Sequence, residues 1–190
     1  MTKYLNDGLG DYVSGLGTPR DKMANAAYVD RFLTDWELMN AYRSAWLPRK
    51  IVDIPAEDST NEGRDWQASA DQIELLEAEE TRLGLWQKLA DVQSKARLFG
   101  GAVIYLGTGD NDPSQPLDIN RIGKGGLKYI TVLSRREIIA GELDRDALSP
   151  TYGKPLYYEV TGASVFARIH PSRLAIFIGN KTPDPWLVGG

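Results

Sequence analysis

Few side chains in this sequence could carry chemistry on their own. His170 is the single histidine, and there is no cysteine. Paired-histidine phosphodiester chemistry, thiolate zinc sites and a cysteine nucleophile therefore have no residues to work with. A serine triad built on His170 needs its nucleophile on a sharp elbow, and no GxSxG string occurs. Gly107-Thr108-Gly109 follows an apolar run but lacks the third glycine and the helix that would aim amides at a phosphate. No P-loop string is present either, so this glycine pair reads as a turn. Asp110, Asp112 and Asp118 share one loop that begins like a calcium loop, but the required glycine and closing glutamate are missing. They read as turn-makers. What remains is carboxylate with arginine: Asp53, Asp58 and Arg97 could line a metal-dependent hydrolase cleft where helices meet strands. That cleft is the enzymatic alternative; the principal expectation is a non-enzymatic protein with no catalytic residue, no metal site and no cofactor.

These residues need elements to position them. Thr34-Asp35-Trp36-Glu37 matches a capping box and predicts a helix starting near Thr34. Leu38, Tyr42 and Ala45 form one stripe of that helix, and Trp36, Met39 and Trp46 a neighbouring one, which predicts wide burial. Pro48 is expected to break the helix at Leu47, and Pro55 to end a short second helix over residues 48–54. Residues 70–99 read as helix, bent or broken at Gly84. Leu85, Leu89, Val92, Ala96 and Phe99 follow at spacings of four, three, four and three, an amphipathic pattern that Gly100-Gly101 closes as a cap. The pattern then changes to strands over residues 102–106, 127–133, 156–161, 165–169 and 173–178. His170-Pro171-Ser172-Arg173 reads as a tight turn between the last two. Helices first and strands after predict an α+β fold, with helices (about 34–99) packed on a mainly antiparallel sheet (about 102–178). The domain reading is an extended or flexible arm over residues 1–33 and one α+β domain over 34–190.

The composition narrows the partners. The chain has 190 residues, 42% hydrophobic and 25% charged, which is ordinary for a folded protein. Its 22 Lys plus Arg against 26 Asp plus Glu give a net charge of −4, without the basic surplus that gripping phosphates calls for. The longest apolar run, residues 102–106, is far too short for a bilayer span, and no apolar stretch follows Lys3 as a secretory signal would require.

Three strings in order carry a family resemblance. The first runs from Tyr42-Arg43-Ser44 through Arg49-Lys50-Ile51-Val52-Asp53-Ile54-Pro55-Ala56-Glu57-Asp58 to Arg64-Asp65-Trp66. The second is Ala96-Arg97-Leu98-Phe99-Gly100-Gly101 followed by the apolar run to Tyr105. The third is Tyr152-Gly153-Lys154-Pro155-Leu156-Tyr157-Tyr158, then Ile169-His170-Pro171-Ser172-Arg173 and the apolar residues 174–178. Over roughly residues 12–186 the chain resembles tailed-phage portal proteins. The residues carrying the resemblance are Arg49, Asp53, Pro55, Asp58, Arg64, Trp66, Arg97, Gly100, Gly101, His170 and Arg173. Ile51, Val52 and Ile54 are expected to be buried. Asp53 and Asp58 are expected to pair with Arg49, Arg64 or Arg97, fixing geometry more than adding stability.

The resemblance implies a wing-like part of a ring that sits at one capsid vertex and passes DNA during packaging and ejection. It implies other portal subunits and a capsid or scaffold protein as partners, with terminase and DNA reached through stem and clip segments that would lie beyond Gly190. It implies a place in the virion, with assembly in the host cytoplasm and no membrane. A free-standing phage adaptor is the alternative.

Overall fold

The computed structural model describes residues 33–109, 112–161 and 168–179. The chain divides into residues 1–34 and residues 35–190. The arm expected over residues 1–33 lies outside the described residues apart from Leu33, and everything below concerns the second unit.

The fold is α+β, as the order of patterns predicts. Helices α1 (Asp35–Ser44), α2 (Trp46–Asn61), α3 (Ala70–Leu83) and α4 (Leu85–Phe99) come first. Strands β1 (Gly101–Gly107), β2 (Tyr129–Ser134), β3 (Ile138–Ala140), β4 (Tyr158–Val160), β5 (Arg168–Ile169) and β6 (Leu174–Ile178) follow. The strands form two antiparallel sheets rather than the one expected: β2-β1-β6 and β3-β4-β5. β3 escaped the sequence reading because three residues are too few to show alternation. The other expected strands shift by one or two residues, and residues 165–167 lie outside the described set.

Burial follows from β1 being covered on both faces. Successive residues of a strand point to opposite sides. Ala102 and Ile104 pack with Ile130 and Val132 of β2 against Val92 and Ala96 of α4. Val103 packs the other way, with Ile138, Tyr158, Ile169 and Leu174. Each buried aliphatic side chain stabilises by roughly 1.5–3 kcal/mol relative to exposure. The three layers are therefore α4, the β2-β1-β6 sheet and the β3-β4-β5 sheet. Gly84 (φ +62) ends α3 and starts α4, and Gly100 (φ +85) turns α4 into β1. Gly101 is not part of that cap: it is the first residue of β1, and its carbonyl accepts from the Arg135 amide at 3.0 Å.

The helical layer departs from expectation at both prolines. The break after α1 falls at Ala45, whose backbone is extended. Pro48 then sits in the first turn of α2, where its missing amide would have had no helical partner anyway. Pro55 lies inside α2 instead of ending it. The apolar residues of α1 and α2 are less buried than their stripes suggested. Val52 and Ala56 are buried, while Trp36, Trp46, Ile51 and Ile54 are exposed.

The two edges of the first sheet differ. Lys88 Nζ donates to the Ile130 carbonyl at 2.9 Å and Lys95 Nζ to the Val132 carbonyl at 3.4 Å. Arg82 reaches the carbonyls of Leu127 and Lys128. Glu137 accepts from the Ser134 amide at 2.8 Å. Side chains thus occupy the Ile130 and Val132 carbonyls and the Ser134 amide on the outer side of β2, a recognised way of blunting a sheet edge.

Gly179 follows β6 and donates its amide to the Gly100 carbonyl at 2.9 Å. A Cβ there would lie 2.0 Å from the Ala96 carbonyl oxygen. Gly179→Ala should therefore lower unfolding free energy by about 1–3 kcal/mol, whereas Gly123→Ala, with open space around its Cβ, should stay within about 0.5 kcal/mol. Urea denaturation of both variants checks this; equal stabilities would show that the Gly179 backbone can move away.

Candidate functional site

The first family-like string begins on α1 and crosses α2 beside a cleft of about 900 Å³, lined by residues including Tyr42, Asp53, Glu57, Trp86 and Asp91. The cleft lies where α2 packs on α4. Val52 and Ala56 face inward, and Ser59 Oγ donates to Gln93 Oε1 at 2.7 Å.

Asp53 is at this cleft, but its carboxylate is already engaged. Tyr42 Oη donates to its two oxygens at 2.8 and 3.0 Å. Burial, and then the hydrogen bond to Asp53, push the Tyr42 phenol above its ordinary pKa. Asp58 is exposed and makes no ion pair among the described residues. Five residues along a helix place it roughly 140° around the axis from Asp53, so the two carboxylates diverge. Among the described residues, no three His, Cys, Asp or Glu side chains are grouped so that they could hold a metal ion. The Asp53–Asp58 cleft imagined for a hydrolase does not assemble.

The arginines expected to pair with those aspartates go elsewhere. Arg97 Nη2 donates to the Ile51 carbonyl at 3.2 Å, across 46 residues of sequence. That carbonyl is the one the residue-55 amide would occupy in an unbroken helix, and Pro55 has no amide. Arg97 therefore supplies the bond that Pro55 removes, and it ties α2 to α4 in doing so. Arg49 donates to the Arg43 carbonyl at 3.3 Å and lies 5.6 Å from the Tyr42 ring, spanning the α1–α2 break. Arg64 pairs with Glu80 and lies over the rings of Trp66 and Trp86 at 4.1 and 5.4 Å. Trp86 Nε1 donates to the same Glu80 at 3.2 Å. Cation–π contacts of this kind contribute roughly 0.5–1 kcal/mol each at exposed sites. Together they hold the segment between α2 and α3 against the start of α4.

The third string fastens a loop. Pro171–Arg173 forms one 3₁₀ turn, and it joins β5 to β6 across the two sheets. His170 Nδ1 accepts from the Ser172 amide at 3.2 Å, which fixes the turn locally. The His170 amide donates to the Pro113 carbonyl at 3.0 Å, and Ser172 Oγ accepts from the Leu117 amide at 2.8 Å. Arg173 is 2% exposed; its Nε donates to the Gln115 carbonyl at 2.7 Å and its Nη1 to Thr108 Oγ1 at 3.2 Å. Thr108, between the glycines of the Gly107-Thr108-Gly109 turn, thus serves Arg173. Asp112 accepts from the Ser114 amide at 3.0 Å, and Asp118 from the Asn120 amide at 3.1 Å, which is turn chemistry. Asp110 lies outside the described residues. Sequence reasoning missed Gln115, Thr108, Glu80 and Trp86 because nothing in their local pattern marks them as partners of distant arginines.

A family profile described as phage portal protein matches residues 36–186. A protein from Caulobacter sp. (strain RHG1) named anti-CBASS protein Acb1 is 45% identical over 187 residues, covering 96% of this chain and 30% of that protein. A protein of the same name from Sphingomonas paeninsulae is 42% identical over 181 residues, covering 94% of this chain and 29% of that protein. The chain therefore spans about three-tenths of the length of these relatives. Among solved structures, one described as the neck of an empty GTA particle computed with C6 symmetry aligns with a TM-score of 0.51 at 13% identity. That alignment covers 85% of this chain and 41% of that one, and at such identity it speaks for the fold.

The Arg97–Ile51 contact is separable by a double-mutant cycle. Arg97→Leu should cost about 0.5–1 kcal/mol with Pro55 present, since the Ile51 carbonyl loses its donor. In the Pro55→Ala background the restored amide competes for that carbonyl, and the cost of Arg97→Leu should shrink toward zero. Strictly additive effects in chemical denaturation would show that the two residues do not share the carbonyl.

Proposed function

Because the chain belongs to the phage portal protein family, we propose that it forms the wing-like α+β part of a portal subunit. It is a structural component of the ring that passes DNA at a capsid vertex, located in the virion and assembled in the host cytoplasm. Its partners are other portal subunits and a capsid or scaffold protein, with terminase and DNA engaged by stem and clip segments elsewhere in the subunit.

One observation carries this reading. The side chains of the family-like strings turn to internal structural partners: Arg97 to Ile51, Arg64 to Glu80, Asp53 to Tyr42 and Arg173 to Gln115. They brace α1 on α2, α2 on α4, the segment after α2 on α3, and the loop after β1 on the β5–β6 turn. Such a network suits a part whose task is to keep its shape under load.

A second reading draws on the 45% identity to a protein named anti-CBASS protein Acb1. In it, the chain is a module of a larger polypeptide with an anti-CBASS role. The matched segment is about three-tenths of that protein, so any activity its name implies rests on the whole.

Two measurements separate these readings. Quantitative peptide mass spectrometry of purified particles should find this polypeptide at a fixed copy number far below that of the capsid protein. Its absence from particles, or parity with the capsid protein, would reject the portal role. The purified chain should turn over no nucleotide or nucleic acid with added magnesium or manganese. Turnover that disappears in Asp53→Ala or Asp58→Ala would favour the enzymatic module instead.

A further inference from the structure

We propose that the outer edge of β6 is a strand-addition site for an extended apolar peptide segment of a partner protein, one that carries a carboxylate for Arg135. The register sets the geometry. The Gly179 amide bonds the Gly100 carbonyl, and alternation from there gives Ala175 and Phe177 the bonds to β1. Ile176 and Ile178 therefore turn their amides and carbonyls away from β1. These groups have no hydrogen-bond partner among the described residues.

The contrast with β2 is chemical. Lys88 and Lys95 occupy the outer carbonyls of Ile130 and Val132 in β2, Glu137 the outer amide of Ser134, and Arg82 the Leu127 carbonyl just before the strand. The β6 sequence, Leu174-Ala175-Ile176-Phe177-Ile178, has no charge, no proline and, among the described residues, no such covering. An uncharged, β-prone edge left open is the kind of edge that pairs with another strand.

Beside it lies an apolar cleft of about 300 Å³ between the two sheets, lined by residues including Val103, Ile138, Ile139, Tyr158, Ile176 and Ile178. Ile139, Ile176 and Ile178 are each about half exposed there. A strand added to β6 would place alternate side chains over this cleft, so backbone bonds supply affinity and the cleft selects apolar residues. Arg135 lines the same cleft, is exposed, and makes no ion pair among the described residues. Strand β6 of a second copy carries no carboxylate for Arg135, and on a second copy's β2 edge side chains already hold the Ile130 and Val132 carbonyls. The arrangement fits a different segment, apolar on one face and acidic at one end.

The probe is the peptide acetyl-Glu-Thr-Val-Thr-Val-Thr-amide, added to the ¹⁵N-labelled chain. Hydrogen exchange at the Ile176 and Ile178 amides should slow by at least about tenfold at saturation, while β2 amides are unaffected. Ile176→Pro removes an outward donor without breaking a β1–β6 bond; retained exchange protection in β1 shows that it folds, and peptide binding should be lost. In a variant that keeps the whole backbone, Arg135→Glu, the peptide should bind about threefold to tenfold more weakly, with recovery when its glutamate is replaced by lysine. No protection at β6, binding that survives Ile176→Pro, or indifference to the Arg135 charge overturns the proposal. Protection that grows with protein concentration alone would make a second copy the occupant and overturn the assigned partner.

Discussion

The double-sided burial of β1 is the constraint on which the rest of this fold depends. A strand covered on both faces needs apolar residues at every position, and Ala102, Val103 and Ile104 meet that requirement at 2–4% exposure. One face requires a helix with small residues at the contact, which Val92 and Ala96 of α4 provide. The other requires a second sheet, built from strands too short to stand alone. The close approach of β6 to α4 then forces glycine at 179, where any Cβ would collide with the Ala96 carbonyl. Local choices along the chain are consequences of this one sandwich.

The helical layer is held differently. It buries little, so polar contacts fix its geometry: Arg97 to the carbonyl left vacant by Pro55, Tyr42 to Asp53, and Arg64 between two indoles over Glu80. Each contact is modest in energy, but together they restrict how α1 and α2 lie on α4. The same logic operates at the far end of the fold, where buried Arg173 and the His170 turn fasten the loop around residues 113–117. Shape is thereby specified at several separated junctions. The tryptophans Trp36 and Trp46 and the isoleucines Ile51 and Ile54 of α1 and α2 stay exposed, while the open β6 edge offers a directional contact.

Much of this was legible in sequence where one local rule decides. The spacing of Leu85, Leu89, Val92, Ala96 and Phe99 places α4, and Gly84 and Gly100 adopt the left-handed backbone that glycine permits. The helix-then-strand order gives the α+β class. Pro55 misled because its missing amide is compensated by Arg97, which reaches the Ile51 carbonyl across 46 residues of sequence. Ile51 and Ile54 misled because apolar spacing cannot say whether a second surface is present to cover them. β3 was hidden by its three-residue length, and with it the division into two sheets. Of the candidate site residues, the sequence picked out Arg97, Arg64 and Arg173, but the aspartates expected beside Arg97 and Arg64 are not their partners. The partners are the Ile51 and Gln115 carbonyls, the Thr108 hydroxyl, the Glu80 carboxylate and two indole rings, brought together only by the tertiary fold.

Native-state hydrogen exchange on the Arg97→Leu chain tests most directly whether the family-like strings brace the helical layer. The account predicts faster exchange at α2 amides following Pro55, such as Ser59 and Thr60, with the amides of Val103 and Ile104 in β1 keeping their protection. Unchanged exchange in α2, or an equal loss of protection in α2 and β1, would contradict a local bracing role for this contact.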